Sequence, residues 1–233
     1  MNALWIQRIS DYIHSPLALE STKKILLFKM SRQRMIINEH KRDTRVDPEF
    51  VISASTIEEA RLCEARFARD YWSQIRRILK HVDFPGRQPR LRDPANLLLD
   101  IGYHHVTNKV KSILERHDMD YSLGLFHRAG SSQAAPLAYD LVELFRADTV
   151  DAELLRFFRL KKKYVQEVKN EEIAIFLNRL NNRISKSYYL QDFHACRSYA
   201  YYMELQILHF SKAVSEKKVF QPLYLPKRHE DRC

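Results

Sequence analysis

Apolar residues recur three and four apart along most of the chain, the spacing of amphipathic helices rather than the alternation of strands. Only four of the 233 residues are glycine, so tight turns are few and the pattern predicts an all-α fold. Ser15-Pro16, a capping serine before a first-turn proline, opens a helix through Leu19, Ile25, Leu26, Phe28 and Met30 to about Asn38. Residues 41–55, with Pro48 and Ser53-Ala54-Ser55, read as a connection. Thr56 caps the next helix with Glu59 at capping-box spacing, and Ile57, Phe67, Tyr71, Ile75 and Ile78 form its apolar face.

His81 to Arg92, holding Pro85, Gly86 and Pro89, is a loop. Asp93-Pro94 repeats the cap-then-proline signal before a helix with Leu97, Leu98, Ile101, Val106, Val110, Ile113 and Leu114 on its core side. A second loop, His117 to Ala134, precedes a helix over about 135–146, and further helices are expected at about 150–160, 164–184 and 190–216. No internal repeat or low-complexity tract is visible.

One position breaks the pattern. Glu64 lies on the stripe of Ile57, Phe67, Ala68, Tyr71 and Ile75, where a carboxylate is unfavourable unless a cation compensates it or the helix is rotated. From the stripe alone, a salt bridge to one of the many arginines is the commoner explanation, since structural ion pairs outnumber metal sites. Asp140 and Glu143, three apart, share a helix face and could offer oxygens to one hard cation. Acidic pairs at that spacing more often face solvent, and Leu137, Leu141 and Leu144 form the buried side of the same helix. His127 closes the run Leu123-Gly124-Leu125-Phe126-His127, and an isolated loop histidine is seldom a ligand. Taken together, carboxylates with one imidazole suit Mg2+ or Mn2+ better than structural zinc.

Composition narrows the partners. A formal net charge of +10 is too large for an ordinary enzyme of small metabolites and favours a polyanion, nucleic acid being the simplest. Arg61, Arg66, Arg69, Arg76, Arg77 and Lys80 surround the Glu64 helix; Arg87, Arg90 and Arg92 occupy the next loop; Lys161, Lys162 and Lys163 form a later block. Any one cluster is more simply a solvated face, but the net charge argues against that for all of them. No stretch approaches the ~20 apolar residues needed to span a bilayer, so the expectation is a soluble cytoplasmic protein with no membrane partner. Cys63, Cys196 and Cys233 are odd in number and lack any C-x-x-C spacing, and they read as reduced thiols.

The runs Asp93-Pro94-Ala95-Asn96-Leu97-Leu98-Leu99-Asp100-Ile101-Gly102-Tyr103, Leu123 to His127, and Leu137-Ala138-Tyr139-Asp140-Leu141-Val142-Glu143-Leu144-Phe145-Arg146 carry a resemblance. In this order and spacing they resemble the CRISPR-associated spacer integrase, the catalytic subunit of adaptation. Glu64-Ala65-Arg66 through Tyr71-Trp72 is similar to that family's first ligand helix, and Ser21 to Asn38, including Lys29-Met30-Ser31-Arg32-Gln33, to the helix leading into its catalytic domain. The resemblance covers roughly residues 5–215.

It implies Glu64, His127 and Glu143 as metal ligands and Asp140 as a supporting carboxylate of the catalytic set. Asn96 and Tyr103 would shape the site, and Arg146 would orient a carboxylate or a phosphate. The implied reaction is 3′-hydroxyl attack on a phosphodiester at the edge of a CRISPR repeat, with nuclease activity when water replaces the hydroxyl. Implied partners are double-stranded DNA, as fragment and repeat, further copies of the chain, and the small ferredoxin-like adaptation subunit. The family opens with a β-rich domain, whereas this chain starts at the linker helix. A compact form without that domain, or one whose N-terminal part is encoded elsewhere, is therefore expected. The expected organisation is a helical lead-in and connection over 1–55, a helical catalytic domain over 56–220 and a tail over 221–233. The alternatives are a non-catalytic basic DNA-binding subunit and an integrase of a related mobile element.

Overall fold

The computed structural model describes residues 2–127, 135–161, 163–190 and 194–224. The element order is α1 (Ala3–Ile13), α2 (Pro16–Asn38), a 3-10 helix (Pro48–Ser53), α3 (Ile57–Ile78), α4 (Pro94–Arg116) and α5 (Pro136–Arg146). A π-helical turn (Ala147–Asp151) leads into α6 (Ala152–Arg159), then α7 (Asn170–Ser185), strands β1 (Ser187–Leu190) and β2 (Ala195–Ser198), and α8 (Tyr199–Ser215). The fold is all-α, with a single antiparallel hairpin among the described residues that pairs Ser187 with Ser198 and Leu190 with Ala195.

The helix starts follow the capping chemistry. Ser15 accepts from the Leu17 amide, Asp93 from Asn96 and Thr56 from Glu59. The reciprocal bond at α3 is shifted by one residue, because Glu59 accepts from the Ser55 amide.

α2 is the axis of the fold. It packs against α3, α5, the 3-10 helix and the π-helical turn, and Ile25, Leu26, Phe28, Met30, Ile36 and Ile37 are buried around its circumference, as expected of a helix enclosed on most sides. Lys29, Arg32 and Gln33 are buried on the same helix. Each meets an acid from another element: Lys29 meets Glu64 and Glu143, Arg32 meets Asp148, and Gln33 meets Asp151. A buried charge is tolerated only when paired, so this seam fixes how α2 sits against α3, α5 and the π-helical turn.

Gly102 serves the same packing. A Cβ there would lie 2.6 Å from Val150 Cγ1, so the bare backbone lets α4 approach the π-helical turn.

Two expected helices start later than the periodicity suggests. Residues 163–169 form a connection, in which Val165 bridges Val82 in parallel and accepts from the Asp83 amide at 2.8 Å, and α7 begins only at Asn170. Ser187–Leu190 and Ala195–Ser198 pair as strands, and α8 begins at Tyr199 with Ser198 accepting from the Tyr201 amide. Tyr188 and Tyr189 favour strands, a preference that apolar spacing does not register. Cys63 is a free buried thiol, as expected. Cys233 lies outside the described residues. No described helix is long and apolar enough to cross a membrane.

Candidate active site

Two of the residues that stood out in the sequence, Glu64 and Glu143, meet at α2. Glu64 of α3 lies 2.6 Å from Lys29 Nζ, and Glu143 of α5 lies 2.7 Å from the same ammonium. Glu64 is therefore compensated by a cation, as its stripe required, but the cation is a lysine of the central helix rather than an arginine. Two carboxylates drawn to one ammonium would have to close further to share one metal ion, whose bonds to oxygen are shorter. Glu143 is almost fully buried and receives a second cation, Arg146 NH1, at 2.6 Å. Burial alone would raise the Glu143 carboxyl pKa, but Arg146 and Lys29 outweigh it and hold it below its ordinary value, with His127 adding to the effect. Burial likewise opposes the charge on Lys29, and Glu143 and Glu64 reverse that, so its pKa is raised and the ammonium is charged.

His127 and Asp140 form the second half. Asp140 has no exposed surface, and its carboxylate accepts from the amides of Leu125, Phe126 and His127, the last at 3.0 Å. Its Oδ1 also lies 2.7 Å from His127 Nδ1. Burial is the largest influence on Asp140 and raises its pKa, although the His127 and amide contacts work the other way. A carboxylate facing Nδ1 makes that nitrogen the donor and leaves Nε2 with its lone pair, the arrangement by which proteins present a histidine to a metal. Asp140 thus spends its oxygens on the loop and on His127.

The approach is close because residue 124 is glycine. A Cβ there would meet Asp140 Oδ2 and Pro136 Cβ, each at 2.7 Å. Gly124→Ala is expected to lower stability by about 1–3 kcal/mol, the cost of overpacking. Urea denaturation measures it, and an unchanged midpoint would mean that the loop gives way freely.

The remaining expected residues divide. Arg146 lies over the Tyr103 ring at 4.7 Å from its centroid and keeps its buried Nε without a hydrogen-bond partner. Tyr103 in turn donates to Asp151 at 2.6 Å, as Tyr71 does at 3.0 Å. Asn96 acts at a different place: it binds Gly86 O, the Gln88 amide and Arg87, tying the loop before α4 to the start of that helix. Arg87 gives its guanidinium to Asn96 and Asp100. Arg66, Arg69 and Arg76 are exposed on α3, as are Arg90 and Arg92 in the following loop. Lys161 pairs with Glu172, Lys163 is exposed, and Lys162 falls outside the described residues.

Among the described residues, no three His, Cys, Asp or Glu side chains already stand in ligand geometry around one point. The contacts bring Glu64 and Glu143 to one ammonium, and His127 to Asp140. Sequence reasoning missed Lys29, although the signal was of the kind that marked Glu64: a charged residue between Phe28 and Met30 on a helix apolar on most sides. It also missed Asp148 and Asp151, which only the π-helical turn aims at α2.

The helical fold is shared with solved structures of other proteins. A chain titled casposase bound to integration product matches at TM-score 0.78 and 18% identity, over 100% of this chain and 73% of that one. A chain from a Cas6-RT-Cas1–Cas2 complex matches at 0.77 and 18%, over 96% of this chain and 26% of that one. In sequence, residues 3–189 match the family described as CRISPR associated protein Cas1, so the chain belongs to the Cas1 family. The CRISPR-associated endonuclease Cas1 of Hyperthermus butylicus is 37% identical over 101 residues, which are 43% of this chain and 30% of that protein. The match thus spans under half of that relative.

Proposed function

We propose that the chain is a metal-dependent DNA integrase and endonuclease of CRISPR adaptation, joining short DNA fragments to a repeat by 3′-hydroxyl attack on a phosphodiester. The observation that carries this reading is the pair of acids, Glu64 and Glu143, drawn to one cation beside a histidine that Asp140 holds by its Nδ1. Family membership and the casposase likeness support it. Glu64, Glu143 and His127 would hold Mg2+ or Mn2+, which when bound polarises the phosphoryl oxygen and stabilises the attacking and leaving oxygens. Asp140 keeps the His127 ring turned and its tautomer fixed. Arg146 offsets the charge of Glu143, and the exposed part of its guanidinium would meet a phosphate oxygen. The exposed arginines of α3 and of the loop after it, with Lys163, would grip double-stranded DNA by its backbone, which positions the duplex without reading sequence.

The Cas1–Cas2 assembly among the matched structures supports the small adaptation subunit as a partner, alongside further copies of this chain. A rival reading, a DNA-binding subunit without chemistry, draws on Lys29, which already satisfies both carboxylates.

Purified protein with Mg2+ or Mn2+ is expected to join a duplex bearing a free 3′-hydroxyl into a plasmid carrying a repeat, and chelation to stop it. His127→Ala should abolish joining and leave DNA retention intact. DNA binding should weaken steeply with salt as counterions are released. Joining that persists in chelator or in His127→Ala would remove the proposed site, and DNA retention without joining would favour the rival.

A further inference from the structure

Where α2, α3 and α5 meet, the protein's own cations already occupy the carboxylates that a metal would need. Lys29 and Arg146 bring two cations, and Glu64 and Glu143 bring two carboxylates. Asp140 is engaged by His127 and the amides before it. Lys29 is 8% exposed, with its Nζ within 2.7 Å of both carboxylates. The buried Glu143 Oε2 makes no well-formed hydrogen bond, so its partner is that ammonium by proximity alone. Lys29 therefore stands on the oxygens that would have to turn to a metal.

We propose that Lys29 is a displaceable internal counter-ion: it holds Glu64 and Glu143 in place, must leave them when a divalent cation binds, and thereby couples metal binding to the binding of a DNA phosphate. This rests on the metal reading of the same site. A divalent ion that takes the Glu64 and Glu143 oxygens leaves the Lys29 ammonium beside a like charge and without its carboxylate partners, which is unfavourable. Two changes relieve it. The flexible stem of Lys29 can swing its ammonium toward the Glu64 side, which is 26% exposed and open to solvent. A phosphodiester entering there brings a negative charge that pairs with the released ammonium. Since coupling is reciprocal, phosphate tightens metal binding to the same degree that metal tightens phosphate binding.

Mn2+ is a suitable probe, its free concentration read by electron paramagnetic resonance, with and without a short duplex bearing a free 3′-hydroxyl. The wild-type chain is expected to bind Mn2+ at least about tenfold more tightly with the duplex than without it. Without DNA, Lys29→Met should bind Mn2+ at least about tenfold more tightly than wild type, and it should gain less from DNA. Its thermal unfolding should fall without metal and recover with Mn2+, a readout that does not depend on joining. Lys29→Gln, which keeps a polar group, provides the same comparison if Lys29→Met does not fold. Equal Mn2+ affinity with and without DNA in the wild type, or weaker Mn2+ binding by the Lys29 variants, overturns the proposal alone. Absence of Mn2+ binding by every variant, DNA included, overturns the metal reading and this proposal with it.

Discussion

Glu64→Ala is expected to reduce joining by at least about a hundredfold, the scale of losing one contact aimed at transition-state charge, while the fold and DNA retention persist. The argument for a separable effect is geometric. Glu64 is partly exposed, and when it is removed Lys29 keeps Glu143 at 2.7 Å, so no buried charge is orphaned. Glu143→Ala should behave differently. It strips both Lys29 and Arg146 of a buried carboxylate and is expected to cost about 3–5 kcal/mol of stability in addition to activity. Joining rates alone would not tell these variants apart; joining together with a urea midpoint does. A Glu64→Ala protein that joins DNA at the wild-type rate would remove Glu64 from the chemistry, whatever Glu143→Ala does.

Arg32→Ala is expected to lower stability by about 3–5 kcal/mol, because it leaves Asp148 buried without its counter-ion. Arg32 and Asp148 are 6% and 5% exposed, and the guanidinium meets the carboxylate through Nε and NH2 at 2.7–3.0 Å. Burial opposes the Arg32 charge and Asp148 outweighs it, so the guanidinium is held protonated. For a chain of this size the loss corresponds to a fall in melting temperature on the order of 10 °C. The double replacement Arg32→Met with Asp148→Leu should recover much of it, because a buried pair exchanged for apolar groups is often neutral. A loss under about 1 kcal/mol for Arg32→Ala would mean that water reaches Asp148. Arg32 lies three residues from Lys29 on the same helix, so slack at this pair would also loosen the ammonium that Glu64 and Glu143 share.

The sequence by itself determined the helical class and most helix boundaries, since these rest on local physics: apolar period, capping side chains and first-turn prolines at residues 15–16, 56–59 and 93–94. It also marked Glu64 as needing a cation, because a carboxylate on an apolar stripe is anomalous wherever the helix packs. His127, Asp140 and Glu143 were readable only through the order of their motifs, as nothing local sets a loop histidine or an i, i+3 acid pair apart from an ordinary surface. The pairing of β1 with β2 escaped because four-residue strands carry too few positions to establish a period. Tertiary structure alone decided which cation answers Glu64, that Asp140 turns His127 rather than facing outward, and that a π-helical turn aims Asp148 and Asp151 at α2. Those outcomes depend on which buried charges meet across helices. Such pairing is fixed by the packing of residues 13 to 118 positions apart, across loops and helix junctions where periodicity in a single sequence carries no information.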